Sequence, residues 1–250
     1  MAEHVAMTEP KRLIRIFINL NSKQSQDLGV DLQFLLDRHS INFEIVKEWN
    51  QDNSINIENT KDLPSDLIGF SALFGHILPI EILDIFQSGI FNLHPSPLPI
   101  GRGADPIPWA IMDDLPQGVS IHHVDTGIDT GGVVARSQIE TSLQMTAGEV
   151  YLKAMEVLLI QFKYLFSKII EGSQISTLAG EGIQTFHNSI ELKGLVEIPG
   201  NELFTVEQLV RRIQALSFAD GRSAKFADKN GKIWKLKLHI SPMENHERNE

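Results

Sequence analysis

Leu13-Ile14-Arg15-Ile16-Phe17-Ile18-Asn19-Leu20 is an apolar run of strand length, and the elements downstream of it decide the fold. A helical pattern around residues 30–36 comes next, then a short strand pattern at 43–46, which makes a β-α-β opening. Apolar runs at 67–72 and 90–93, separated by a helix-like stretch at 79–86, continue the alternation. Residues 118–124 and 132–139 read as two more strands, joined by a polar, Gly-rich loop at 125–131. Strands alternating with helices predict an α/β fold: a Rossmann-like, mainly parallel sheet with helices on both faces.

Thr146 and Glu149 form a capping-box pair that opens a long helix, with Val150, Ala154, Val157, Leu158, Leu165 and Ile169 at helical spacing until Gly172. This helix is expected to close the main domain, residues 1–189. A second capping pair, Thr205 with Gln208, starts a shorter helix. Asn230-Gly231 is a tight-turn signal, after which Trp234, Leu236, Leu238 and Ile240 alternate with polar residues as a half-buried hairpin strand would. Residues 190–243 are therefore expected to form a small C-terminal unit of helix and β-hairpin, and 244–250 a disordered polar tail.

Composition narrows the function. The chain has no cysteine, which excludes a disulfide framework, a thiolate nucleophile and a Cys-based zinc site. Its opening residues carry charges and a proline where a secretory signal would be apolar, and no run reaches membrane-spanning length, so a cytoplasmic protein without a membrane partner is expected. Acidic residues outnumber basic ones by 32 to 22, for a formal charge of −10, and the basic residues are scattered. Nucleic acid is a poor default partner for that balance, because phosphate contacts supply most nucleic-acid affinity.

Chemistry concentrates in Phe91-Asn92-Leu93-His94-Pro95. The period-2 geometry of a strand sends Asn92 and His94 to the same face, and Pro95 ends the ladder, so both lie at the carboxyl end where open α/β sheets place ligands. Alone, Asn-x-His is more often a loop cap beside a hydrogen-bonded surface histidine. Its neighbourhood is more specific. Asn92 to Gly103 (NLHPSPLPIGRG), Pro108-Trp109-Ala110, Gly118-Val119-Ser120-Ile121-His122 and Gly127-Ile128-Asp129-Thr130-Gly131, in that order, closely resemble the folate-dependent formyltransferase family.

The resemblance implies that Asn92, His94 and Asp129 are the catalytic trio and that the one-carbon donor is N10-formyltetrahydrofolate. An amine attacking a formyl carbonyl builds an oxyanion that Asn92 would stabilise, while His94 would shuttle the proton and Asp129 orient the imidazole. Ser120 and His122 match positions that support the site. The pterin is expected against two loops, Gly75-His76-Ile77-Leu78 and Val124-Asp125-Thr126-Gly127, and the Leu98-Pro99 bond is expected to be cis. Neighbouring histidines at 76, 122 and 123 suggest a metal, but adjacent strand residues 122 and 123 face opposite sides and the family needs none, so no metal is expected.

The acceptor amine is less constrained. Leu20 is followed by Asn21-Ser22-Lys23-Gln24, not the Gly-rich phosphate loop of glycinamide ribonucleotide transformylase. About 60 residues follow the main domain, against the larger basic domain of methionyl-tRNA formyltransferase. The helix and hairpin are similar to the C-terminal unit of nucleotide-sugar N-formyltransferases, which favours a nucleotide-linked amino sugar such as a 4-amino-4,6-dideoxysugar. Arg102, Gly103 and Trp109 are then the substrate-binding candidates, although Trp109 reads equally as core. Another amine acceptor (a carrier-bound aminoacyl group, glycinamide ribonucleotide or methionyl-tRNA) and a non-catalytic folate-binding regulator are the alternatives. The resemblance also implies a homodimer through the C-terminal region, with the Trp234 face equally suited to the monomer's own core.

Overall fold

The structure is a computed structural model that describes residues 13–18, 30, 32–34, 37, 42–46, 67–180, 182–219 and 221–241. Along the chain its strands are β1 (Leu13–Ile18), β2 (Asn42–Val46), β3 (Ile68–Ala72), β4 (Ile90–His94), β5 (Arg102–Gly103), β6 (Gln117–His123), β7 (Val133–Ile139), β8 (Phe186–His187), β9 (Lys225–Ala227) and β10 (Ile233–Lys235). Six of them form one sheet in the order β2-β1-β3-β4-β6-β7. β1 pairs in parallel with β2 and β3, β3 in parallel with β4, and β4 antiparallel with β6. The sheet is mainly parallel and flanked by helices, as the alternation predicts. Of the helical pattern at 30–36, residues 30 and 32–34 are helical, and the others lie outside the described residues, as do residues 19–24 and the tail at 244–250. The stretch at 79–86 is α-helical only over Ile80–Leu83, and it continues to Phe86 through bonds from Ile85 N–H to the Ile82 carbonyl and from Phe86 N–H to the Leu83 carbonyl. Among the described residues no helix is long and apolar enough to cross a membrane.

The contacts fall into two compact units. The first holds the described residues up to His94, with Ser120–Ala135 and Leu158–Ala179. Register assigns its two sheet faces. Phe17, Ser71, Asn92 and His122 are partners across β1, β3, β4 and β6, so their side chains share one face; Ile16, Phe70, Phe91 and His123 share the other. On the second face Phe70 stacks on Phe91 at 5.7 Å and meets the edge of Phe162 at 4.9 Å, so the Ala147–Ile170 helix covers it with aromatic side chains. On the first face Phe17, Phe74, Leu78, Ile82, Phe86 and Ile90 form a buried cluster. That cluster stops where β4 turns polar. Asn92 and His94 follow Ile90 at period two, so the same face passes from sealed core to a set of hydrogen-bonding groups.

The second unit holds Pro95–Val119, Arg136–Val157 and the described residues from Gly180. The Val206–Ala215 helix starts with the expected capping box: Gln208 N–H donates to Thr205 Oγ1 at 3.1 Å and Thr205 N–H donates to Gln208 Oε1 at 2.9 Å. It packs Ile213 and Leu216 against Leu192, Ile198 and Ala224. Buried Arg212 ties this helix to the segment before it, with Nε and Nη2 donating to the Leu195 carbonyl at 3.0 and 2.9 Å. The hairpin differs from expectation. β10 ends at Lys235, Trp234 is exposed with its indole N–H donating to Asp228 at 2.9 Å, and of the alternating set Leu236 alone joins the cluster. Asp228 also accepts from the backbone of Asn230 and Lys232, and the Trp234 bond first, then these two, draw its carboxyl below the usual carboxylate range.

Candidate active site

The polar end of the first sheet face brings the expected trio together. Asn92 Nδ2 lies 3.1 Å from His122 Nε2 and 3.4 Å from Asp129 Oδ1. His94 Nδ1 lies 3.8 Å from Asp129 Oδ2, an ion-pair separation, and His122 Nε2 is closer to the same carboxylate at 3.4 Å. Asp129 therefore makes its nearest imidazole approach to His122, which stands opposite Asn92 in the β4–β6 register, while Ser120 stands opposite His94. The two imidazoles meet edge to face at 6.0 Å. His94, Ser120 and His122 are buried and Asp129 is largely so, which strengthens every charge interaction among them relative to water.

A hydrogen bond on the far side of His122 sets its tautomer. Its Nδ1 lies 2.8 Å from the His123 carbonyl oxygen. A carbonyl only accepts, so Nδ1 carries a proton and the neutral ring has its lone pair on Nε2, where Asn92 Nδ2–H can donate. His123 itself points to the other sheet face, with its ring 4.6 Å from Phe91, and burial, then proximity to His122, lowers its pKa below the usual value. The opposite orientation of residues 122 and 123 agrees with strand geometry.

Asp129 reaches the strands from a loop held in an uncommon shape. Its φ is 52°, a left-handed conformation that costs an L residue on the order of 1 kcal/mol and that Asp tolerates better than most. Asp125 Oδ1 braces the loop by accepting from Gly127 N–H at 3.0 Å and Thr130 Oγ1 at 2.6 Å. Gly131 closes it against β6, where an added Cβ would meet the His123 carbonyl oxygen at 1.9 Å. That oxygen is the one holding His122, so Gly131→Ala has to move either the Asp129 loop or the His122 acceptor. We expect Gly131→Ala to lower turnover at least about tenfold while the chain stays folded, checked by steady-state kinetics beside circular dichroism.

The two expected folate loops are anchored on one cluster. Leu78 is a buried member of the Phe17–Ile90 group and Val124 packs against it, while Gly75, His76, Ile77, Asp125, Thr126 and Gly127 are exposed. The first loop leaves β3 through Leu73 at φ 53° and Gly75 at φ 72°, a turn that presents backbone N–H and C=O groups. In the second unit, Arg102 and Gly103 form β5, paired in parallel with Phe186 and His187. Gly103 has φ 88°, and a Cβ there would meet the His187 carbonyl oxygen at 2.2 Å, so only glycine fits. Trp109 stacks on His187 with centroids 3.8 Å apart and packs against the Leu192–Ala224 cluster. Buried Arg102 Nε and Trp109 Nε1 have no hydrogen-bond partner among the described residues. Leu98-Pro99 is cis.

Residues 15–158 match the formyl transferase family. The chain belongs to that family. A methionyl-tRNA formyltransferase from Clostridium beijerinckii is 31% identical over 192 residues, 74% of this chain, and the chain spans 61% of that relative's length. In fold, a 4-N formyltransferase from Francisella tularensis covers 93% of this chain and 99% of its own, with a TM-score of 0.77 at 17% identity. A formyltransferase from Anoxybacillus kamchatkensis, solved with UDP-4,6-dideoxy-4-formamido-L-AltNAc and tetrahydrofolate, covers 73% of this chain and 88% of its own, with a TM-score of 0.57 at 22% identity.

Two features of this family member are not legible in its sequence. One is the β5–β8 pair with the His187–Trp109 stack; His187 is further fixed by Glu191 Oε2 at 2.8 Å, and Asn188 Oδ1 accepts from Glu191 N–H at 3.2 Å where the Glu191–Leu195 helix begins. The Asn188–Glu191 spacing is a capping signal, but nothing local indicates that residues 186–187 pair with a strand some eighty positions earlier. The other is the contact of His122 with both Asn92 and Asp129, which depends on a register between β4 and β6 that one strand pattern does not specify.

Proposed function

We propose that this formyltransferase moves the formyl group of N10-formyltetrahydrofolate to the primary amine of a nucleotide-linked amino sugar. The convergence of Asn92, His94 and Asp129 on one buried sheet face is the observation that carries the reaction. The acceptor nitrogen attacks the formyl carbon, a C–N bond forms, and the carbonyl oxygen gains negative charge that the Asn92 amide N–H stabilises. Collapse breaks the bond to folate N10. The acceptor nitrogen must lose a proton and N10 must gain one, and His94 carries it between them, with the Asp129 carboxylate favouring the protonated imidazole. His122 is a positioning residue: its fixed Nε2 lone pair orients the Asn92 amide. Gly75–Leu78 and Val124–Gly127 hold the pterin through backbone groups, and Arg102, Gly103 and Trp109 serve the acceptor.

The sugar acceptor is supported by the likeness of fold along nearly the whole chain to a 4-N formyltransferase and by the formal charge of −10, which opposes a polyanion. The sequence likeness to a methionyl-tRNA formyltransferase favours methionyl-tRNA as the second reading. A soluble cytoplasmic enzyme, divided near residue 190 and paired as a homodimer through its C-terminal region, completes the proposal. Titration with 5-formyltetrahydrofolate, a stable donor analogue, should saturate at one molecule per chain. An absence of binding would remove the folate reading. Saturable binding of initiator tRNA at 0.15 M salt would instead favour the second.

A further inference from the structure

We propose that His94, His122 and Asp129 bind one Zn²⁺ ion, which occupies the proton-transfer site and arrests the enzyme. One ligand atom from each lies within 4.8 Å of the others. A tetrahedral zinc with bonds of about 2.0–2.1 Å sets neighbouring ligand atoms about 3.3 Å apart. The His122 Nε2 to Asp129 Oδ1 distance of 3.4 Å already has that value; His94 Nδ1 lies 3.8 Å from the other carboxylate oxygen, Oδ2, so a turn of the carboxylate is needed for one oxygen to share the ion with both imidazoles.

The electronic state fits as well. A histidine ligand must offer a lone pair, and metal-binding histidines commonly donate their other N–H to a carbonyl or carboxylate. His122 does so, with Nδ1 at 2.8 Å from the His123 carbonyl oxygen, leaving the lone pair on Nε2, 3.4 Å from Asp129 Oδ1. Two imidazoles and one carboxylate give the nitrogen and oxygen donors that zinc accepts, with a fourth position left for water. Coordination at Nε2 displaces the Asn92 amide now 3.1 Å away, so the ion removes the oxyanion donor as well as the shuttle. The histidine set apparent in the sequence, at 76, 122 and 123, is not the one assembled here.

Binding of the ion needs only this geometry, whereas the arrest rests on the formyl-transfer reading, so the test of binding is run without turnover. Zn²⁺ is titrated into the full chain at pH 7.5 by calorimetry, with Co²⁺ absorption as a second readout of tetrahedral coordination. The expected result is one ion per chain, weakened at least about tenfold by Asp129→Asn and by His122→Gln and unchanged by His123→Asn. Circular dichroism checks that each variant is folded, and intense Co²⁺ d–d bands lost in Asp129→Asn would locate the ion independently. Absence of saturable binding, or binding undiminished in both Asp129→Asn and His122→Gln, would overturn the proposal.

Discussion

His94→Ala should lower turnover by about 10² to 10⁴-fold, the range that a positioned general acid–base group contributes. The loss belongs in kcat, because in the proposed reaction the proton moves only as the acceptor nitrogen forms its bond and folate N10 leaves. His94 is buried and ends β4, held between Leu93 in the core and Pro95, so truncation leaves a small cavity without unravelling the strand. A thermal melt close to that of the parent therefore accompanies the expected kinetic loss. The pH profile gives a second readout. A histidine shuttle imposes a limb near its titration, and that limb should vanish in the variant even where residual turnover persists. Turnover within a few-fold of the parent, with the limb intact, would remove His94 from the reaction.

Asn92→Ala should cost about 10² to 10³-fold in kcat, the usual effect of deleting one oxyanion donor. KM should change little, since the donor's charge partner exists only in the transition state. The neighbours make this substitution informative. Asn92 Nδ2 lies within hydrogen-bonding range of both His122 Nε2 and Asp129 Oδ1, so its amide is already oriented before substrate arrives. His122→Gln, which disturbs that orientation and leaves the amide in place, should cost less than Asn92→Ala. A combined variant should lose less than the product of the two, because the residues act through one interaction. A rise in KM with kcat unchanged would make Asn92 a ground-state binding residue instead.

The sequence revealed the fold where signals are local. Strands β1, β3, β4, β6 and β7 and the helices capped by Thr146 and Thr205 follow from apolar periodicity and capping pairs. So does the common face of Asn92 and His94. Features that depend on distant partners were not legible. Trp109 reads as either core or ligand platform until His187 arrives on it, and Trp234 reads as either dimer face or monomer core, whereas its indole N–H is taken by Asp228. The same holds for His122: strand parity puts it opposite His123, but its contact with Asn92 needs the antiparallel register that pairs Asn92 with His122. Asp129 is identified by resemblance, and the glycines around it stand where other atoms come close, Gly127 against Thr130 and Gly131 against the His123 carbonyl.

Formyl transfer tests the central claim most directly. With N10-formyltetrahydrofolate as donor, absorbance follows transfer across dTDP-, UDP- and GDP-linked 4-amino sugars, beside glycinamide ribonucleotide, an aminoacyl carrier and methionyl-tRNA. The expected result is turnover with a nucleotide-linked amino sugar, abolished in His94→Ala and Asn92→Ala. Turnover on methionyl-tRNA with silence across the sugars, or sugar turnover undiminished in both variants, would contradict it.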